Sequence, residues 1–252
     1  MPNDQLTESH SGEMGFLEHL EELRWRIVRA LIAVVVGAVI ALSFKTILFD
    51  VIIFGPVKPW FPTNKMLCAI SESLCLADSA SVFQALRLPT QISIYIMTGL
   101  IAGFILAFPY VFYQVWGFIS PGLKEQERKG AQGMTIWVSV LFFLGVLFGY
   151  YILSPVSIQF FLGFKVSDLV TNQFTLDSYV STITILTLAT GLLFQLPVVV
   201  MILTRLGLIT VEILKKYRKH ALVGVLVLSA IITPPDVASQ VLVTLPIMLL
   251  YE

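Results

Sequence analysis

The chain has 252 residues, of which 57% are hydrophobic and only 13% charged, whereas soluble domains carry about 25% charge. So little polar surface excludes a water-soluble globule, and 16 basic residues balanced by 16 acidic ones exclude the basic footprint of a nucleic-acid binder. The composition predicts an all-α, polytopic transmembrane protein whose missing polar surface faces lipid.

Residues 1–12 read as a flexible polar tail. Asp4, Glu8 and Glu13 give the wrong charge for the start of a cleavable signal peptide, so the first apolar run is expected to insert and stay. Before it, Phe16, Leu20, Leu23 and Ile27 recur at helical spacing, which predicts an amphipathic helix leading into the first span. On that helix Glu18 and Glu22 share a face, and Glu22 is placed to pair with Arg26.

A bilayer crossing needs about 20 apolar residues. Single-pass stretches are expected at about 27–44, 91–114, 133–154 and 178–204. Pro109 is expected to kink the second, Pro155 to end or bend the third, and Pro197 lies near the far end of the fourth. The loop after the first span holds Pro56, Pro59 and Pro62, which forbid a long regular helix early in it, while Lys65 to Leu86 suits a short helix lying on the membrane. Cys68 and Cys75 fall there. Within one continuous helix they would sit about 10 Å apart along the axis, beyond the reach of a disulfide. A bridge therefore requires a turn at Ser71-Glu72-Ser73, and two free thiols are the alternative.

The last region, 220–235 and 237–251, holds two uncharged stretches of 16 and 15 residues around Thr233-Pro234-Pro235-Asp236. Each extends about 24 Å as helix, short of a hydrocarbon core of roughly 30 Å. A short helical hairpin completes a count of six spans, and a single re-entrant element is the alternative. With the N-terminus on the cytoplasmic side, Arg24, Arg26, Arg29, Lys124, Arg128, Lys129, Arg205, Lys215, Lys216, Arg218 and Lys219 fall inside. Lys45, Lys58, Lys65, Arg87 and Lys165 fall outside. This asymmetry orients both termini to the cytoplasm and puts the cysteines on the side that is oxidising in a bacterial cell.

Catalytic constellations are missing. His10, His19 and His220 are the only histidines and none lies at membrane depth; no P-loop, zinc or nucleophile-elbow motif occurs. An enzyme is not expected, nor is a cofactor or metal. Two segments on the cytoplasmic side carry more information. Residues Phe16 to Ile27 and Tyr113 to Arg128 each set carboxylates (Glu22; Glu125 and Glu127) beside aromatic and apolar surface. Ordinary interfacial segments look similar singly. Together they suit a peptide with arginines next to an apolar stretch, because carboxylates accept guanidinium groups in pairs of hydrogen bonds.

These segments resemble the TatC family, the receptor core of the twin-arginine protein translocase. His19-Leu20-Glu21-Glu22-Leu23-Arg24-Trp25-Arg26 is similar to the family's H-L-x-E-L-R-x-R. Tyr113 to Arg128 resembles Y-Q-x-W-x-F-x-x-P-x-L-x-x-x-E-R, Phe194-Gln195-Leu196-Pro197-Val198 resembles F-E-x-P-V, and Thr233 to Gln240 matches T-P-P-D-x-x-S-Q. The resemblance implies a receptor in a bacterial cytoplasmic membrane. It binds twin-arginine signal peptides of folded cargo and works with single-span TatA- and TatB-type subunits, as a homo-oligomer within a larger complex driven by the proton-motive force. By motif position, Glu22 and Glu127 take the arginine pair, and Arg24, Phe118, Pro121 and Arg128 shape the same site. Pro56, Asp236 and Gln240 have structural roles on the outer side, a helix cap in the case of Asp236.

Two departures matter. Gln195 stands where the family usually carries an intramembrane glutamate, so ionisation there is in doubt and a neutral contact to a partner helix remains. The family pattern also usually continues beyond Tyr251-Glu252. A secondary transporter of a small solute is the alternative from another class. It needs ionisable or substrate-coordinating groups at the midplane, and only Gln195 with scattered serines and threonines are candidates.

Overall fold

The structure is a computed structural model that describes residues 16–70, 83–120, 133–164, 166–167, 175–205, 207, 209–232 and 237–251. Among these residues, four helices are long and apolar enough to cross a bilayer: Leu20–Ser43, Thr90–Ile119, Met134–Gly163 and Leu176–Thr204. An all-α membrane protein is thus what the sequence encodes.

Helix α1 (Phe16–Ser43) runs unbroken from the amphipathic segment into the first span. A π-helical stretch (Ile47–Ile53) and the short α2 (Pro62–Ile70) follow. Pro62 opens α2, where its missing N–H costs nothing. Helix α3 (Thr90–Ile119) returns through the membrane with Pro109 inside it. The third crossing is α4 (Met134–Phe148), a π-helical segment (Gly149–Leu153) and α5 (Ser154–Gly163). The fourth is α6 (Leu176–Leu193) with α7 (Leu196–Arg205). The short α8 (Val211–Lys216) precedes α9 (Arg218–Ile232) and α10 (Val237–Tyr251).

The third crossing passes through Pro155 and reaches Gly163, beyond the boundary expected at 154. The reason is a contact from α2. Proline cannot donate to the carbonyl four residues back, which is that of Tyr151, and the Thr63 hydroxyl of α2 donates to that carbonyl instead. The preceding π-helical segment takes up the misfit, with the Ser154 hydroxyl donating to the Gly149 carbonyl at 2.9 Å.

Two pairs of glycines set how closely the crossings approach. Gly99 and Gly103 of α3 face Leu42, Ala38 and Val34 of α1; a Cβ on Gly103 would lie 2.3 Å from the Ala38 backbone nitrogen. Gly145 and Gly149 face α6 in the same way, a Cβ on Gly145 lying 2.9 Å from the Gly191 Cα. Both pairs have the four-residue spacing that lets membrane helices pack backbone to backbone. Helix α1 is the most peripheral crossing, with 11% of its apolar window buried against 33% to 39% in the other three.

At the membrane face far from the start of α1, the last carbonyls of the first π-helical stretch accept from tyrosines. The Tyr150 hydroxyl donates to Ile52 O at 2.7 Å and the Tyr179 hydroxyl to Ile53 O at 2.8 Å. Pro56 is buried, and the Asn64 side-chain amide donates to the carbonyls of Pro56 and Lys58 at 2.8 and 3.0 Å. Gln84 bridges to Thr175, which brings the two loops of this face together. Cys68, on the exposed side of α2, is disulfide-bonded. Cys75, the chain's only other cysteine, lies outside the described residues.

Helices α9 and α10 have 15 residues each, about 22 Å apiece. They pair through small polar contacts: the Gln240 amide donates to the Leu226 carbonyl at 3.0 Å, and Ser229 and Thr244 hydroxyls lie 3.4 Å apart. Ser157 and Ser239, both fully buried, tie α10 to α5 at 3.0 Å. The expected brevity of this pair is therefore present. Asp236 and the Thr233–Pro235 connection lie outside the described residues.

Leucine at Gly103 must push α1 away from α3, and overpacking of this kind costs about 1–3 kcal/mol. Gly103→Leu should lower the thermal unfolding temperature of the purified protein in detergent, whereas Gly163→Ala, where nothing lies within 4 Å of the new Cβ, should leave it unchanged. Asn64→Ala removes the donor to two carbonyls of the far-face loop and should destabilise by about 1–3 kcal/mol, read in the same assay.

Candidate functional site

The site assembles where the first turns of α1 meet the last turns of α3. Helical spacing brings Glu22 and Arg26 one turn apart. Arg26 donates through Nε and Nη2 to a single oxygen of Glu22, Oε1, at 2.9 and 2.6 Å. Its remaining arm, Nη1, reaches the Gln114 carbonyl of α3 at 3.4 Å. The guanidinium occupies the space left by Gly117, where a Cβ would fall 2.1 Å from Nη1. Both members of the pair are about three-quarters buried, with side-chain exposures of 24% and 27%. The second carboxylate oxygen, Glu22 Oε2, is buried and has no hydrogen-bond partner.

An aromatic ladder leads from the membrane to this point along α3. Phe108, Phe112 and Trp116 follow one another at helical spacing, with successive ring centroids 6.3 Å apart and nearly parallel. Phe108 also stacks on the fully buried Phe142 of α4. Beside the Glu22–Arg26 pair is an open cavity of about 380 Å³ lined by Glu22, Trp25, Arg26 and Arg29. Trp25 is half exposed. The cavity offers a carboxylate acceptor and the exposed Trp25 ring, while the ladder itself packs into the core against α4.

Of the residues the sequence singles out for this site, Glu22 stands at its centre and Phe118 lies half-buried on α3 one residue beyond Gly117. Arg24 is elsewhere. Two residues along a helix rotate the side chain by about 200°, and Arg24 pairs with exposed Glu21 at 3.4 Å while lying 5.7 Å from the Trp25 ring. Pro121, Glu127 and Arg128 lie outside the described residues. Gln114 and Gly117 were not among the residues expected at the site. A glycine flanked by Trp116 and Phe118 was the available signal that a side chain from elsewhere needs the space.

Gln195 sits at the joint between α6 and α7. Its Nε2 donates to the Val138 carbonyl of α4 at 3.3 Å, while Oε1 is buried with no partner. Nearby runs a groove of about 950 Å³ whose lining includes Val138, Pro197, Met201 and Tyr251.

Four long apolar crossings, with a partly buried carboxylate beside a cavity at the start of the first, define an integral membrane protein with a binding pocket at one face. Residues 18–246 match the family described as Sec-independent protein translocase protein (TatC). The TatC protein of Blattabacterium sp. subsp. Periplaneta americana is 39% identical over 97% of this chain and 94% of its own length. That of Aquifex aeolicus is 35% identical over 95% and 92%. A crystal structure of the twin arginine translocase receptor TatC in DDM superposes with a TM-score of 0.73 at 34% identity, covering 93% of this chain and 96% of the other. The chain belongs to the TatC family of Sec-independent protein translocase proteins. A small-solute transporter finds no support among these relatives.

Gln195→Leu removes one weak donor contact and also the buried, unpaired oxygen. These effects oppose each other, so its unfolding temperature should stay close to that of the unaltered protein, within the shift expected for about 1 kcal/mol. A large loss would show that the amide is a structural support of the joint.

Proposed function

We propose that this translocase subunit is a receptor for twin-arginine signal peptides, with Glu22 accepting one guanidinium and Glu127 contributing to the arginine pair. The observation that carries this reading is the state of Glu22: a largely buried carboxylate with one oxygen engaged and the other unpaired, beside a cavity that Trp25 lines. An unpaired buried acceptor is costly, and a guanidinium N–H from a bound peptide relieves that cost with a charge-assisted hydrogen bond. The apolar stretch of the peptide then follows the exposed flank of α3 into the bilayer. Phe118, Pro121 and Arg128 are proposed contributors to the rim.

In this reading the pocket faces the cytoplasm of a bacterial cell, with both termini on that side and α9 and α10 completing six crossings of the cytoplasmic membrane. The protein acts by binding rather than by covalent catalysis. Gln195 is the proposed contact for a single-span TatA- or TatB-type partner helix. Its free amide oxygen and the adjoining groove support that role. The chain works as one of several copies in a larger complex powered by the proton-motive force.

Glu22→Gln keeps the size of the side chain and removes the charge. It should weaken binding of a fluorescent twin-arginine signal peptide to the purified protein by about tenfold or more, the range of a charge-assisted hydrogen bond. A photocrosslinker at position 22 should capture the same peptide. Equal binding by Glu22→Gln together with absence of that crosslink would sink the assignment.

A further inference from the structure

Arg26 is itself a guanidinium on the proposed receptor carboxylate, and two roles are open to it. It is either a stand-in that an incoming arginine must evict, or a fixed support that shapes the carboxylate. The geometry separates them. An arginine bound as a simple ligand of a carboxylate forms a fork onto both oxygens. Here Nε and Nη2 both converge on Oε1, at 2.9 and 2.6 Å, and Oε2 is left without a donor. The third arm is directed to α3, on the Gln114 carbonyl at 3.4 Å. Nη1 of the group lies over Gly117, which has no side chain to displace it. Arg26 is thus held by α3 as well as by Glu22, and eviction would leave both helices with unpaired groups.

We infer that Arg26 is a positioning residue of the signal-peptide site. It pins one oxygen of Glu22 against the end of α3 so that the other is available to a guanidinium arriving through the cavity beside Trp25. This inference rests on the receptor function proposed above. The terminal torsion of a glutamate is soft, so a small rotation keeps Oε1 on Arg26 while turning Oε2 toward the cavity. The resident arginine already neutralises Glu22 and Arg29 lines the same cavity, so the ligand meets one open acceptor and no net attraction from these groups. Recognition then depends on the directional donors of a guanidinium more than on net attraction, which favours arginine over lysine at this position. Gly117 is the second half of the device: a bulky side chain there moves the Arg26 guanidinium off α3 without deleting it.

The test uses the full-length protein in detergent and two fluorescent signal peptides, one with the arginine pair and one with both arginines replaced by lysine. Arg26→Gln should weaken the twin-arginine peptide about tenfold, comparable to losing one charge-assisted hydrogen bond. It should also narrow the gap between the two peptides. Gly117→Leu should act in the same direction, which keeps the test open where Arg26→Gln does not purify as a folded protein. In the Glu22→Gln background, Arg26→Gln should have little further effect, because its action runs through that carboxylate. Binding by Arg26→Gln that equals or exceeds that of the unaltered protein, while Glu22→Gln still weakens it, overturns the positioning role and leaves the receptor site standing. No effect from Glu22→Gln overturns the site itself, and the inference with it.

Discussion

The backbone-to-backbone contact of α1 with α3 governs the rest. Lipid offers helices no hydrophobic drive to associate, so crossings that must stay together rely on close packing. At Gly37 and Gly103 the backbones of α1 and α3 touch: a Cβ on Gly37 would lie 2.7 Å from the Gly103 carbonyl oxygen. Helix α1 buries little else, and its outward residues from Leu31 to Phe44 are exposed to lipid. The glycine contact therefore fixes the axis of α1. Arg26 is 11 residues before Gly37, about 16 Å along that axis, and its landing on Gly117 is the last contact of the same interface. The position of Glu22 is set by small residues at membrane depth.

The second glycine pair does the corresponding work for α4 and α6, and it leaves the joint at Gln195 against α4. The remaining helices pack through Val225, Val243 and Ile247 and are tied by hydroxyls and amides. Ser157 with Ser239, Ser229 with Thr244, and Gln240 with the Leu226 carbonyl lock α9 and α10 together and to α5. Such bonds are worth only modest amounts individually in a membrane. Their value here is specificity, since helices of 15 residues present too little surface for packing alone to select one register.

Much of this architecture was legible because the bilayer enforces it. Four long apolar stretches appear in the sequence where the four long helices lie. The Glu22–Arg26 pair followed from a spacing of four on an amphipathic segment. What escaped had non-local causes. Pro155 ends most helices, but here Thr63, distant in sequence, satisfies the carbonyl it orphans, so the crossing continues. Arg24 belongs to the same motif as Glu22, yet motif adjacency ignores the rotation per residue that carries it to Glu21. The glycine pairs at 99 and 103 and at 145 and 149 were visible as spacing, but nothing in the sequence says which helix each pair faces. Pro121, Glu127 and Arg128 fall outside the described residues.

Gln195 shows how a departure from a family pattern acquires physical meaning. TatC resemblance implies a glutamate at this position, and the local geometry asks what a carboxylate would meet there. The group facing the side chain is the Val138 carbonyl, an acceptor. An amide supplies a donor to it through Nε2; an ionised carboxylate has none and would face the carbonyl oxygen with like partial charge, in a setting where charge is already expensive. In this geometry a glutamate would bond to Val138 only in its protonated form. Glutamine reproduces that neutral, donating state at every pH, and it keeps one acceptor oxygen open toward a neighbour. The substitution therefore preserves the hydrogen-bonding face of a neutral carboxylic acid while removing its proton as a variable. A partner contact at this joint needs only a donor, and whatever proton dependence the working translocase has must enter through other groups.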